Sequence, residues 1–183
     1  MAIKSTVFKA DLHVSDMDRP HYGNYALTLA RHPSETDERL MVRLLAFARH
    51  ADEGLSFGGG VSNDEEPALW KKDLTGAVQL WIEVGAPEER RLKKACGRSP
   101  QVVLYLYGRA SDVWWRDQGP ALSKLANLSV YLIPPDASQA LAALVQRTMT
   151  LSATIQEGQT WFSSDATNVC VEPQLLCGPG MQG

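Results

Sequence analysis

The middle of the chain alternates apolar strand-like runs with helical segments, and this alternation restricts the fold more than any other feature. Residues 77–85 are nearly continuously apolar, which is typical of a strand buried on both faces, and Pro87 opens a helical segment that extends to Cys96. A second apolar run, residues 102–107, follows directly. A strand, a helix and a strand in so short a span predict a right-handed crossover between two parallel strands.

The same alternation continues towards the C-terminus. The sequence predicts a helix over residues 111–122, a strand over 128–133 and a helix over 137–147. Beyond them, residues 148–155 and 160–163 flank a short segment of turn formers, which predicts a hairpin.

The N-terminal part predicts an antiparallel pair of strands followed by a helix. Residues 6–14 and 25–30 favour strands, and turn formers lie between them. Ser34 is placed to cap a helix that continues to about Ala51. Glu38 lies in phase with the apolar stripe of that helix, which directs its carboxylate towards the core.

Length and composition favour one folded domain. The chain has 183 residues, of which 44% are hydrophobic and 21% are charged, so it falls among ordinary globular proteins. We expect a single domain over residues 1–177 and a disordered tail over 178–183, because the end beyond Pro173 is rich in glycine. The predicted fold class is α/β (α+β): a central mixed β-sheet flanked by helices, with N-terminal antiparallel strands and a C-terminal hairpin.

Charge and hydropathy restrict the partners of the chain. The net charge of −3 gives no overall positive field, so any binding of nucleic acid would rest on a local basic patch. No run approaches the roughly 18 apolar residues that span a bilayer, and the N-terminus lacks a signal-peptide pattern. We therefore expect a cytoplasmic protein with no membrane partner, either a monomer or a weak homo-oligomer.

Residues 57–67 are rich in glycine and short polar side chains, which predicts a mobile loop. The loop does not match a phosphate-binding loop, because Gly60 is followed by Val61 and Ser62 rather than by lysine and a hydroxyl residue. Since it precedes the segment that delivers Asp73, we expect it to border a site there.

Two carboxylates near the first buried strand are candidates for chemistry. Glu83 lies near the carboxyl end of the strand over residues 77–85, where open α/β sheets tend to bind ligands. A buried carboxylate is costly unless a cation or a donor satisfies it. Asp73 lies ten residues earlier, and a hairpin-like approach would bring it beside Glu83. Two such carboxylates favour a Mg²⁺ site, because this ion takes oxygen ligands.

A structural interpretation competes with the metal site. In it, Glu83 pairs with an arginine of the following helix, Arg90 or Arg91, and Asp73 is only a turn residue. The two lysines of that helix then form a solvated face. Spacing alone favours this interpretation, because an aspartate followed by a strand with a glutamate is a weak pattern.

Several segments, taken together, carry a resemblance that spans nearly the whole chain. In the same order they closely resemble the bacterial YaeQ family: residues 32–36, 43–47, 64–67 with Trp70, 80–85, 90–96, 126–130 and 147–151. The resemblance implies a fold related to the PD-(D/E)XK nucleases, which are restriction-endonuclease-like. It also implies a divalent-metal site, with Mg²⁺ or Mn²⁺, for phosphodiester cleavage of nucleic acid.

The resemblance further assigns roles to individual residues. The helix acid of the superfamily falls on Glu38 or Glu35, its aspartate on Asp73, and the acid of its E-x-K pattern on Glu83. These four residues are the candidate metal ligands. Where the pattern has its lysine, this sequence has Gly85, which cannot orient a water or stabilise developing charge.

A lysine of the following helix is the expected substitute for the missing one. If Leu92 and Cys96 face the sheet, Lys93 projects nearer the strand end than Lys94, so Lys93 is preferred. The first hypothesis is a Mg²⁺-dependent nuclease-like protein that uses these residues. The alternative is an inactive scaffold that acts as a binding or regulatory module, which Gly85 and the acidic net charge favour.

Overall fold

The chain folds into two mixed β-sheets and four helices over the residues that the computed structural model describes, which are 4–59, 63 and 65–180. It divides into two compact units: Met1–Glu53 with Asp136–Glu172, and Gly54–Pro135 with Pro173–Gly183. The mixed α/β class is confirmed, but the prediction of one central sheet is wrong, because each unit has its own sheet. Of the predicted tail over 178–183, residues 181–183 lie outside the described residues.

The elements follow one another along the chain with short connections. In chain order they are β1 (Thr6–Asp16), β2 (His21–Arg31), α1 (Asp37–Arg49), β3 (Leu55–Phe57), β4 (Leu69–Lys72), β5 (Val78–Val84), α2 (Glu89–Arg98), β6 (Val102–Leu106), α3 (Ser111–Leu122), β7 (Leu128–Leu132), α4 (Pro135–Ala142), β8 (Thr148–Gln156), β9 (Gln159–Ser163), β10 (Asn168–Val171) and β11 (Gln174–Cys177). In the described part of the chain, none of the helices is long and apolar enough to cross a membrane.

The first unit is built on a five-stranded sheet with the strand order β10-β9-β8-β1-β2. β1 pairs with β2 in antiparallel and with β8 in parallel orientation. Alternate side chains of β1, including Phe8, Leu12 and Val14, are buried, because a strand turns successive side chains to opposite faces. The predicted N-terminal antiparallel pair and the C-terminal hairpin, β8 with β9, are both confirmed.

α1 begins later than the sequence suggests. Thr36 caps the helix, since its hydroxyl accepts a hydrogen bond from the N–H of Arg39 at 3.1 Å. The prediction of Ser34 as the cap is wrong, because the N–H and the hydroxyl of Ser34 both bond to the His32 ring. Residues 40–48 are all buried, so α1 is enclosed on every side rather than presenting one face to solvent.

The second unit is built on a six-stranded sheet with the strand order β11-β7-β6-β5-β4-β3. β5, β6 and β7 are parallel, and α2 and α3 connect them, as the alternating runs predict. Both helices pack on one apolar cluster, which includes Trp81, Leu92, Leu104 and Leu122. The chain therefore passes from β5 to α2 at the carboxyl edge of the parallel strands, where such sheets bind ligands.

Four short strands and one helix end depart from the sequence prediction. β3, β4, β10 and β11 were missed because each has only three or four residues, too few to show a strand period. α4 ends at Ala142 rather than near residue 147, because Leu144 and Val145 bond to carbonyls three residues back, in a turn. β11 pairs residues 174–177 with β7, directly before the predicted tail.

We expect Thr36→Ala to lower the free energy of unfolding by about 1 kcal/mol, because it removes the acceptor for the N–H of Arg39. Ser34→Ala is the matched control and should change this free energy by less than about 0.5 kcal/mol, since Ser34 is exposed and lies outside the helix. Urea denaturation of both variants measures the difference. Equal losses in the two variants would contradict Thr36 as the cap.

Candidate functional site at the carboxyl end of β5

Glu83 is a buried carboxylate near the carboxyl end of β5. Only 3% of its surface is exposed, and its Oε1 accepts hydrogen bonds from Trp81 Nε1 at 2.8 Å and from Arg91 Nε at 2.9 Å. Trp81 and Glu83 lie two residues apart, so they share one face of the strand. The Arg91 guanidinium supplies the positive charge that a buried carboxylate needs.

Arg91 joins α2 to the two strands of the β4–β5 hairpin. Besides its bond to Glu83, its Nη2 donates to the carbonyl oxygen of Glu66 at 2.8 Å. The antiparallel register pairs Leu69 with Ile82, so the segment before β4 runs beside the residues that end β5. One side chain therefore fixes the start of α2, the end of β5 and the entry to β4.

One flank of α2 carries a row of cations. Arg91, Lys94 and Arg98 are spaced by three and four residues and so project from the same side of the helix. Lys94 Nζ lies 2.8 Å from Glu65 Oε1, and Arg98 Nη1 lies 3.3 Å from Glu65 Oε2. The hydrogen bond and charge of Lys94, and then the charge of Arg98, hold the pKa of the Glu65 carboxyl below its ordinary value.

A cavity of about 630 Å³ opens at the start of α2. Among the described residues, three cations and two carboxylates line it: Arg90, Arg91, Lys94, Glu65 and Glu88. Glu88 is the N-cap of α2, and within the described structure its side chain makes no capping hydrogen bond, so the first backbone N–H groups of the helix lack that acceptor. Cationic side chains beside a helix N-terminus favour an anion.

Asp73 lies at the other end of the β4–β5 hairpin. Its N–H donates to the carbonyl of Ala77 at 2.9 Å, and its Oδ1 accepts from the Thr75 hydroxyl and from the N–H groups of Thr75 and Ala77. These bonds, the one from the Thr75 hydroxyl first, hold the pKa of the Asp73 carboxyl below its ordinary value. From Ala77, the strand runs about 20 Å before it reaches Glu83.

The prediction that Asp73 and Glu83 share a cation is therefore wrong. The competing structural interpretation is confirmed for both residues: Glu83 pairs with Arg91, and Asp73 holds the turn between β4 and β5.

The two lysines of α2 lie on different flanks. Lys93 pairs with an acid one turn earlier in the same helix, on its exposed side, whereas Lys94 lines the cavity. The preference for Lys93 assumed that Leu92 and Cys96 face the sheet. Leu92 and Cys96 do pack on the apolar cluster, together with Ala95, but Lys94 rather than Lys93 lines the cavity because Glu65 lies beside it.

The two helix acids lie in the first unit, and both have protein partners. Glu35 is 4% exposed and pairs with Arg39 and Arg43, of which Arg43 is itself buried. Glu38 accepts a hydrogen bond from the hydroxyl of Ser138. The role of Glu35 and Glu38 as metal ligands stays a prediction.

Gly85 has a backbone conformation that explains its residue type. Its φ is +106°, in the region that L side chains rarely adopt. Its N–H donates to the carbonyl of Tyr105 at 2.9 Å, which fixes this conformation where the chain leaves β5. A lysine at position 85 would strain the backbone. The turn between β5 and α2 therefore explains why glycine stands where the pattern has its lysine.

The described residues of this site show no cluster of ligands for a divalent cation. Among residues 4–59, 63 and 65–180, no three His, Cys, Asp or Glu side chains form a group that could hold a metal ion. The Glu83 carboxylate already accepts from Trp81 and Arg91, and the two other carboxylates in the described lining of the cavity are those of Glu65 and Glu88.

Glu65 and Glu66 are the site residues that the sequence reasoning missed. They belong to the predicted mobile loop over residues 57–67 and border the site, whereas residues 60–62 and 64 of that loop lie outside the described residues. The sequence signal that could have located them is Gly76, which lies in the turn of the hairpin and has a φ of +87°. A hairpin that turns there pairs the end of β5 with the residues just before β4.

Comparisons of sequence with known proteins point to one family. The family model described as YaeQ protein matches residues 1–173. The uncharacterized protein YaeQ of Escherichia coli (strain K12) is 45% identical over 170 residues, which cover 92% of this chain and 94% of that protein. The protein of the same description from Salmonella typhi is 44% identical over 173 residues, which cover 94% and 96%.

Two solved structures resemble the whole chain. The crystal structure of YaeQ protein from Xanthomonas axonopodis pv. citri has a TM-score of 0.92 and 48% identity, and the match covers 96% of this chain and 99% of that one. The crystal structure of YaeQ protein from Pseudomonas syringae has a TM-score of 0.91 and 40% identity, with 95% and 97% covered.

We expect Glu83→Gln to lower the free energy of unfolding by about 1–3 kcal/mol, because the amide keeps an acceptor for Trp81 but loses the charge that Arg91 neutralises. Glu88→Gln, an exposed change at the same cavity, is the control and should shift it by less than about 0.5 kcal/mol. Urea denaturation tests both. A Glu83→Gln protein more stable than wild type would instead indicate a carboxylate kept for chemistry at the cost of stability.

Proposed function

The chain belongs to the YaeQ family, and we propose that it is a binding module that holds the phosphate backbone of nucleic acid against the basic flank of α2. In this proposal the fold is related to that of the PD-(D/E)XK nucleases, but binding does not require a metal ion. The observation that carries the proposal is the cavity at the start of α2, whose described lining brings Arg90, Arg91 and Lys94 together within two turns of the helix.

The chemistry of the cavity suits a phosphate group. Guanidinium and ammonium groups form short, charge-assisted hydrogen bonds with phosphate oxygens, and a helix N-terminus adds backbone N–H donors. Five of the ten residues of α2 are Lys or Arg, although the whole chain has a net charge of −3. The local basic patch that nucleic-acid binding requires is therefore present on this helix.

Further cations lie beyond the cavity, which favours a polymer over a single phosphate. The Arg98 guanidinium lies 5.3 Å from the centre of the Trp81 ring, and Trp70 meets Trp81 edge to face at 5.9 Å. Lys72 Nζ lies 3.8 Å from the centre of the Trp70 ring. Lys72 pairs with the first residue of β5, about 17 Å along that strand from Glu83, a separation that several phosphates of a backbone would span.

Mg²⁺-dependent phosphodiester hydrolysis is the second candidate function. The buried Glu83 carboxylate at a strand end, with Glu66 leading into the paired strand, favours it. A cation at this position would have to displace Arg91 from Glu83, and Gly85 offers no side chain to stabilise charge. Binding without hydrolysis therefore agrees better with the contacts at this site.

We expect Lys94→Ala to weaken the binding of a fluorescent single-stranded oligonucleotide by about threefold to tenfold, because it removes one cation from the cavity. The slope of log affinity against log salt concentration should fall by about 0.7, the contribution of one phosphate contact on a single strand. Fluorescence anisotropy at several salt concentrations measures both quantities.

Lys93→Ala is the matched control for this experiment, because it removes the same charge from the same helix but on the flank away from the cavity. It should change affinity by less than about twofold. Equal effects of the two substitutions would indicate only non-specific attraction to α2. No measurable binding by the wild-type protein at low salt would overturn the proposed function.

A further inference from the structure

β2 forms a long outer edge of the five-stranded sheet. It spans eleven residues, whereas the other outer strands of the two sheets, β10, β3 and β11, have four residues or fewer. An outer strand carries backbone N–H and C=O groups on the side that has no neighbouring strand. The length of β2 makes this row of groups the longest in the described part of the chain.

The strand register identifies which residues of β2 direct their backbone groups outwards. The N–H of Lys9 donates to the carbonyl of Arg147 beside β8, so odd-numbered residues of β1 face β8 and even-numbered ones face β2. Ala10 is opposite Leu27 in the antiparallel register, so the odd-numbered residues of β2 face β1. The residues that face outwards are Tyr22, Asn24, Ala26, Thr28 and Ala30.

In four of these five residues, neither outward backbone group has a hydrogen bond within the described structure. The carbonyl of Ala30 accepts from Arg43 Nη2 at 3.2 Å. Nothing in the described ranges bonds to the outward N–H and C=O groups of Tyr22, Asn24, Ala26 and Thr28. The side chains of these four residues are exposed, so the strand edge is accessible to a partner.

β2 also lacks the features that keep sheet edges apart. Natural proteins protect outer strands with charged side chains or proline. The segment from residue 22 to residue 30 contains neither. An identical strand therefore meets no electrostatic repulsion along this segment.

The geometry points to a second copy of this chain as the partner, joined to β2 by antiparallel pairing of the two β2 strands about a twofold axis. In the pairing centred on Tyr25, Tyr22 of one copy lies opposite Thr28 of the other, and Asn24 lies opposite Ala26. Each such pair exchanges two hydrogen bonds, so all four open residues of both copies are satisfied. A closed twofold dimer is the commonest form of homo-oligomer.

The neighbouring registers fit less well, which selects this one. A pairing centred on Ala26 would need the Ala30 carbonyl, which Arg43 already occupies. A pairing centred on Asn24 would place Thr28 opposite Pro20, which has no N–H and lies outside the strand. The pairing centred on Tyr25 uses only residues whose outward backbone groups have no hydrogen bond, and it does not involve Ala30.

Sedimentation equilibrium over micromolar to near-millimolar concentrations tests the dimer. The wild-type chain should dimerise, and Ala26→Pro should weaken dimerisation by at least about tenfold, because it removes an outward N–H without affecting the bonds to β1. Ala30→Pro is the matched control, since its N–H also faces outwards but lies outside the pairing. Circular dichroism establishes that both variants are folded. A wild-type chain that stays monomeric throughout, or equal dimerisation of Ala26→Pro and wild type, would overturn the proposal.

Paired cysteines test the register itself. In a Cys170→Ser background, which removes the exposed native thiol, Tyr22→Cys with Thr28→Cys should form a disulfide-linked dimer on mild oxidation. The two positions are too far apart in one strand to bond within a copy. Tyr22→Cys with Ala30→Cys, which matches the register centred on Ala26, should link at least about tenfold more slowly. Faster linkage of the second pair, or no linkage of either pair, would overturn the proposed register.

Discussion

The ion pair between Glu83 and Arg91 is the interaction on which the candidate site depends. A carboxylate with 3% exposure near the end of a buried strand needs a cation, and Arg91 provides it at 2.9 Å. The same guanidinium holds the Glu66 carbonyl, so α2, β5 and the entry to β4 are fixed relative to one another. Removing either charge would leave the other poorly compensated, which makes this pair a structural requirement as well as a local electrostatic balance.

The ion pair also sets the orientation of the cations that surround it. With Arg91 directed to Glu83, the spacing of the helix places Lys94 and Arg98 on the same flank, where Glu65 neutralises part of their charge. An anion that enters the cavity at the start of α2 would compete with the Glu65 carboxylate for these cations. A backbone phosphodiester presents two anionic oxygens, as a carboxylate does, so it can replace Glu65 at these cations.

The sequence predicted most of the long elements but only part of the site. The alternating runs gave β5, α2, β6 and α3 within about two residues, because length and period are strong local signals. The pairing of Asp73 with Glu83 failed because distance along the chain does not give hairpin register, which depends on where the turn lies. The choice of Lys93 failed because the cavity is formed with Glu65, a residue of a distant loop that pairs with Lys94. The division into two sheets had no local signal.

The central claim is that Arg91 neutralises Glu83 and leaves a phosphate-binding surface that needs no metal. Measuring oligonucleotide affinity with and without a divalent metal tests this claim most directly. We expect wild-type protein to bind a single-stranded oligonucleotide with the same affinity, within about twofold, in EDTA and in Mn²⁺ at matched ionic strength, and to leave it intact. Binding only in Mn²⁺, followed by cleavage that Glu83→Gln abolishes, would contradict this claim and establish Glu83 as a metal ligand.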